Sequence, residues 1–170
     1  MSAGGGSQAG EGQAGADGVT RIVEVGTKPE TDRVATAECW VTSTSEAVGH
    51  LVAGTKKGDP LQTAKIAGVI GVKQTPALLP HCHPIRVTGA DVVIEPDEAA
   101  GRLRVETTVR ATDRTGVEME ALTAAAVAAL SLYDTAKAFD RSARIDGLRL
   151  LAKSGGTSGD YVAEGDPIPL

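Results

Sequence analysis

Only four of the 170 residues are aromatic: Trp40, Tyr133, Phe139 and Tyr161. A chain so poor in rings has no stacking platform for bases, and a formal net charge of −5 leaves no basic stripe for a phosphate backbone. Nucleic acid is therefore not the expected partner. A small anion is not excluded, because a few local cations hold one against the overall sign. The two cysteines, Cys39 and Cys82, are too few for a disulfide framework and fit a reducing cytoplasm. No apolar run approaches the roughly 18–20 residues that span a bilayer. The start lacks the positive segment and apolar stretch of a secretory signal.

What is present falls into three stretches. Residues 1–18 hold seven glycines and, past Met1, no large apolar side chain. Such a segment cannot bury enough surface to offset its ordering entropy, so a disordered tail is expected. Residues 19–161 form one expected catalytic domain, long enough for a real core. Residues 162–170, ending Pro167-Ile-Pro-Leu170, read as a loose C-terminal tail.

Residues Arg33–Ser43 carry Val, Thr and Trp40 and read as a strand. Ser45 is the expected N-cap of a short helix reaching Val52, closed by Gly54. Asp59 caps a second helix, with Pro60 at its first position and its end before Pro76. Gly68 and Gly71 lower helix propensity there but allow close backbone approach. Arg86–Glu95 and Arg102–Thr112 are strands joined by a turn between Pro96 and Gly101. Val117–Phe139 is a long alanine-rich helix, and Arg144–Lys153 a last strand. Strand, helices, strand, strand, helix, strand is the order of an α+β ferredoxin-like sandwich, an antiparallel sheet with helices packed on one face.

Several groups could carry chemistry. Lys56-Lys57-Gly-Asp59 precedes a helix whose free N–H groups attract anions; its bland reading is a solvated turn with an ordinary cap. His81-Cys82-His83 is held between prolines. It could move protons, contact a polar substrate, or begin a metal site, although metal sites usually need three or four spaced ligands. Glu118, Met119 and Glu120 open the long helix, where the helix dipole favours acids anyway. Asp134 and Lys137 are three apart and face each other as a plain ion pair would. Lys153-Ser-Gly-Gly-Thr-Ser-Gly159 could cradle phosphate or be a flexible linker, and it is not a Walker loop.

Six motifs stand in order: Lys57-Gly-Asp, Ala64-x-Ile-Ala-Gly68, Leu79-Pro-x-Cys-His-Pro84, Thr115-Gly-Val-Glu-Met-Glu-Ala-Leu-Thr-Ala124, Tyr133-Asp-x-x-Lys-Ala138 and Lys153-Ser-Gly-Gly-x-Ser-Gly159. Together they resemble the MoaC family, the cyclic pyranopterin monophosphate synthases of molybdenum-cofactor biosynthesis. The resemblance implies a lyase that rearranges 3′,8-cyclo-7,8-dihydro-GTP to cyclic pyranopterin monophosphate with loss of pyrophosphate. It implies a radical-SAM GTP cyclase upstream and molybdopterin synthase downstream. It also implies a hexamer built as a trimer of dimers, and no cofactor beyond Mg²⁺ carried in with the triphosphate. Asp134 takes the place of the family's active-site aspartate. Substrate contacts fall on Cys82, His83, Met119 and Glu120, with Glu118 and His81 beside them. Lysines given acid–base or phosphate roles fall on Lys57, Lys137 and Lys153.

The residue types suit the reaction. Opening an aminal and reclosing a pterin ring need several proton transfers. Expelling pyrophosphate from the α-phosphate needs cations on the departing charge. Lys57 and Lys137 are expected to shuttle protons, with Asp134 orienting Lys137. Glu120 and His83 are expected to hold the purine-derived ring, and Lys153 with the glycine-rich loop the phosphates. Crowding should lower the lysine pKa values. The sequence departs from the family at His81, where Leu is common, at Lys65 and Gln74, where Arg is common, and at Thr135-Ala136, where Met-Cys is usual. Two other readings stay open: a non-catalytic pterin- or nucleotide-binding paralogue, and a metal-binding protein built on His81-Cys82-His83.

One spacing bears on assembly. Glu120 and Asp134 are fourteen residues apart, roughly 21 Å along a helix. One small substrate cannot touch both in one chain. Two antiparallel copies of the helix, crossing near Ala126–Ala129, would bring the ends together, and a two-fold dimer would carry two shared sites.

Overall fold

The computed structural model describes residues 20–157 and 159–165. The expected tail at 1–18, Ser158 of the glycine-rich loop and residues 166–170 lie outside the described residues. In chain order the elements are β1 (Thr31–Thr42), α1 (Ser45–Ala53), α2 (Pro60–Leu78), β2 (Val87–Asp97), β3 (Arg102–Asp113), α3 (Glu118–Ala136), β4 (Arg144–Ser154) and β5 (Tyr161–Val162). They form an antiparallel sheet in the order β2-β3-β1-β4-β5. The expected α+β ferredoxin-like sandwich is what the chain forms. Tyr161 and Val162 pair with Lys153 and Ala152, so pairing reaches one residue into the stretch expected to be loose.

Alternation along the central strands decides the layers. Ala35, Ala37, Cys39 and Val41 of β1, and Leu103, Val105, Val109 and Ala111 of β3, are buried beneath the helices. Cys39 donates from Sγ to the Ala125 carbonyl at 3.3 Å, and burial pushes its thiol up to about 12. It is a packing residue and not a nucleophile. The intervening side chains lie on the other face. There Glu38, 1% exposed, accepts from Arg104 Nε at 2.8 Å and Arg149 Nε at 2.9 Å, so its buried charge is paired on both oxygens.

Three expectations about the helices are corrected. The N-cap of α1 is Thr44, not Ser45, because the Thr44 hydroxyl accepts from Ala47 N–H at 3.2 Å. The second helix does not stop before Pro76; α2 runs through it to Leu78. Proline cannot donate to Val72 O, but the Thr75 hydroxyl bonds Gly71 O at 3.0 Å just before it and Leu79 N–H bonds Thr75 O at 2.9 Å just after it, so helical bonding flanks the one missing bond. The long helix ends at Ala136, and Lys137–Phe139 form a turn.

The alanines of α3 also have a different use from the one expected. Ala121, Ala124, Ala125, Ala128 and Ala129 are buried within the chain, against the sheet and α2. They admit α2 closely, at Gly68 and Gly71. A Cβ on Gly68 would stand 3.2 Å from Ala124 O, and one on Gly71 3.2 Å from Thr123 O. They are therefore not free to line a crossing between two copies. The outward line of α3 carries Met119, 40% exposed, and Leu130, 56% exposed.

Candidate functional site

The chemistry-bearing residues gather in two clusters, one at each end of α3. At the C-terminal end Lys137 Nζ lies 2.6 Å from Asp134 Oδ1. Lys57 reaches the same place from a tight loop in which Thr55 and Gly58 exchange backbone hydrogen bonds of 2.9 and 3.0 Å. The Thr55 hydroxyl holds the loop by accepting from Lys57 N–H at 3.2 Å. Lys57, Asp134, Lys137, Tyr133 and Arg141 line a cleft of about 550 Å³.

The hydrogen bond from Lys137 holds the Asp134 carboxyl below the usual carboxylate range, and the charge of Lys57 adds to it. The same bond raises Lys137 above its ordinary value. This overturns the expected lowering for Lys137. Its nearest neighbour is a carboxylate, and the pair stands in water, so attraction outweighs desolvation. Lys137 is a persistent cation in the free protein.

Asp59 settles the helix-terminus reading. Its Oδ1 accepts from Leu61 N–H at 2.8 Å and Gln62 N–H at 3.0 Å. The first N–H groups of α2 are thereby occupied by the chain's own cap, which leaves side-chain cations as the groups here that could meet an anion.

At the N-terminal end Glu120 is 3% exposed. Burial pushes its carboxyl up to about 7; its own backbone N–H pulls the other way and Glu118 adds a small push upward. Cys82 is raised by burial and then by the charge of Glu120. Glu118 pairs with Lys153 Nζ at 3.0 Å. His83 is half-buried in the same loop as Cys82, and Met119 stands exposed on the outward face. His81 is exposed, with Nδ1 2.9 Å from Arg21 O, so it ties the Leu79–Pro84 loop to the segment before β1.

Part of the glycine-rich loop is engaged within the chain. Gly155 N–H donates to Asp160 Oδ1 at 3.2 Å. Gly155 and Gly156 have φ of +89° and +86°, and a Cβ on either would collide with the Asp32 carbonyl or the Arg33 guanidinium. Glycine is required at Gly155 by the Asp32 backbone and at both positions by the positive φ. Among the described residues no three of His, Cys, Asp and Glu are grouped to hold a metal ion.

Sequence reasoning passed over Arg141, because Asp140-Arg141-Ser142 reads as an ordinary polar turn. Its signal was its spacing: four residues past Lys137, just beyond the helix that carries the ion pair.

The sequence matches the MoaC family model over residues 22–156. It is 48% identical over 149 residues to a cyclic pyranopterin monophosphate synthase of Parvibaculum lavamentivorans, covering 86% of this chain and 92% of the relative. It is also 48% identical over 154 residues to the protein of the same name from Brucella melitensis biotype 2, covering 90% and 93%. A third relative of that name, from Brucella ovis, is 48% identical over 151 residues, 88% of this chain and 91% of the relative.

Proposed function

The chain belongs to the MoaC family, and from that premise we propose that it is the lyase converting 3′,8-cyclo-7,8-dihydro-GTP to cyclic pyranopterin monophosphate and pyrophosphate. The observation that carries the reading is the Asp134–Lys137 pair at 2.6 Å, facing Lys57 across one cleft. A fixed carboxylate beside a permanent ammonium keeps a proton donor aimed at one place. Lys137 in that state protonates departing oxygens or stabilises their charge, and Lys57 supplies the second mobile proton. Asp134 orients Lys137.

At the other end of α3, Glu120 titrates near neutrality, where a carboxyl can both accept and return a proton. With His83, Cys82 and Met119 it is placed to hold and protonate the pterin ring as it closes. Glu118 is paired to Lys153 and keeps that cation at the ring end. Mg²⁺ would enter with the triphosphate as part of the substrate.

The two clusters stand fourteen residues apart on one continuous helix, about 21 Å, so one substrate meets both only if they come from different chains. We place the site at a two-fold interface, in a hexamer of three such dimers. Supply by a GTP-cyclising radical enzyme, use by molybdopterin synthase and a cytoplasmic setting belong to the same proposal.

Incubation with the cyclised GTP should release pyrophosphate and the pterin product together. Lys57→Ala and Lys137→Ala should abolish both while leaving the fold intact. Turnover at the parental rate in either variant would sink the assignment. A paralogue that only binds would give no pyrophosphate at all.

A further inference from the structure

We propose that Arg141 is a polyphosphate-holding residue of the Lys57–Asp134–Lys137 cleft, selecting for a ligand that carries a phosphate chain. The inference rests on the reading of this cleft as the place where pyrophosphate departs. Lys57, Lys137 and Arg141 line the cleft with Asp134, so it holds three cations against one carboxylate in a chain whose net charge is −5. Asp134 is committed to Lys137. Among the described residues, no ion pair or hydrogen bond engages the Arg141 guanidinium.

The turn that presents Arg141 is locked. Asp140 Oδ1 accepts from Ser142 N–H at 2.8 Å and from Ser142 Oγ at 2.6 Å, while Oδ2 accepts from Ser43 Oγ at 2.7 Å. The neighbouring carboxylate is therefore spent on fixing the backbone and does not neutralise the guanidinium. A basic residue past a helix C-terminus is favoured by the dipole alone. That accounts for one cation; it does not account for three arriving from two separate segments around one cavity. A planar guanidinium fork grips phosphate oxygens in pairs, which a lysine does not.

The opposite cluster cannot take this role as built. The hollow there, about 580 Å³, is lined by Glu118, Asp160 and Glu164 against Arg149 and Lys153. Arg149 and Lys153 each already face a carboxylate, at 2.9 and 3.0 Å. The phosphate chain accordingly belongs at the Arg141 end and the ring at the Glu120 end. This moves the phosphate subsite away from the glycine-rich loop.

The test uses the full chain and inorganic pyrophosphate as probe, by calorimetry and as an inhibitor of turnover. Arg141→Ala should weaken pyrophosphate binding about ten-fold or more, the effect of losing a charge-assisted contact, and raise KM with kcat nearly unchanged. Arg141→Lys should recover part of the loss. Lys73→Ala, a remote change of equal charge, should have little effect. The exposed position means that the melting temperature of Arg141→Ala should match the parent's. Parental pyrophosphate affinity in Arg141→Ala, or equal weakening by Lys73→Ala, would overturn the proposal. If the parent fails to convert the cyclised GTP but still binds pyrophosphate through Arg141, the lyase reading fails and the anion subsite stands.

Discussion

Glu120 and Asp134 are two carboxylates on one helix, separated in angle by only about 40°, and their surroundings push them apart. Asp134 is exposed and held down by Lys137; Glu120 is buried and pushed up to about 7. A carboxyl whose folded pKa lies above its ordinary 4.5 adds a stabilising proton below that value and loses it as pH rises through 7. Glu120→Gln should therefore melt like the parent near pH 4.5 and above it at pH 8. The difference has a ceiling of roughly 3 kcal/mol at about 1.4 kcal/mol per pH unit. Melting curves across that range check it, and a constant offset would show that Glu120 is not the titrating group. The same substitution should abolish the limb of the pH–rate profile near 7. Asp134→Asn removes the partner that raises Lys137, so its apparent basic limb should move to lower pH. That half of the site was legible in the sequence, since an i, i+3 acid and base on a helix must meet. The pKa of Glu120 was not, because it depends on burial that only the folded chain shows.

The helices show where periodicity suffices and where it fails. Element types and order follow from pattern and caps, and Asp59 with Pro60 opens α2 as its residue types require. Pro76 misleads, because local rules give a stop while the helix loses one bond there and resumes, with Leu79 N–H bonded to Thr75 O. The alanines of α3 misled in another way. A small-residue stripe permits close approach without naming the partner, and the partner here is α2. Gly71 tests that packing. Alanine there would gain about 1 kcal/mol of helix propensity, yet its methyl would meet Thr123 O and Val127 Cβ, both at 3.2 Å. Gly71→Val adds two more methyl groups against a backbone carbonyl and should cost about 1–3 kcal/mol. A denaturant midpoint at or above the parent's would mean that α2 and α3 can separate without loss.

The position of Lys57 fixes how sharing between whole molecules must be tested. Lys57 and Lys137 line one cleft of one chain, so variants at those two positions cripple the same half-site. Mixing them should restore nothing. Glu120 belongs to the opposite half, at the other end of α3. In a dimer formed from Lys137→Ala and Glu120→Gln chains, one composite site carries both changes and its twin carries neither. Random exchange at equal concentrations makes half the dimers mixed, so about a quarter of parental activity should return. Native mass spectrometry confirms the exchange, and pyrophosphate release measures the recovery. If exchange is complete and the Lys137→Ala with Glu120→Gln mixture stays silent, the clusters do not meet across an interface. If Lys57→Ala with Lys137→Ala recovers instead, the cleft itself is assembled from two chains. The outward line of Met119 and Leu130 is one exposed apolar surface on α3 that such a contact could use. Leu130→Glu should therefore lower both the oligomeric mass and the activity of otherwise intact protein.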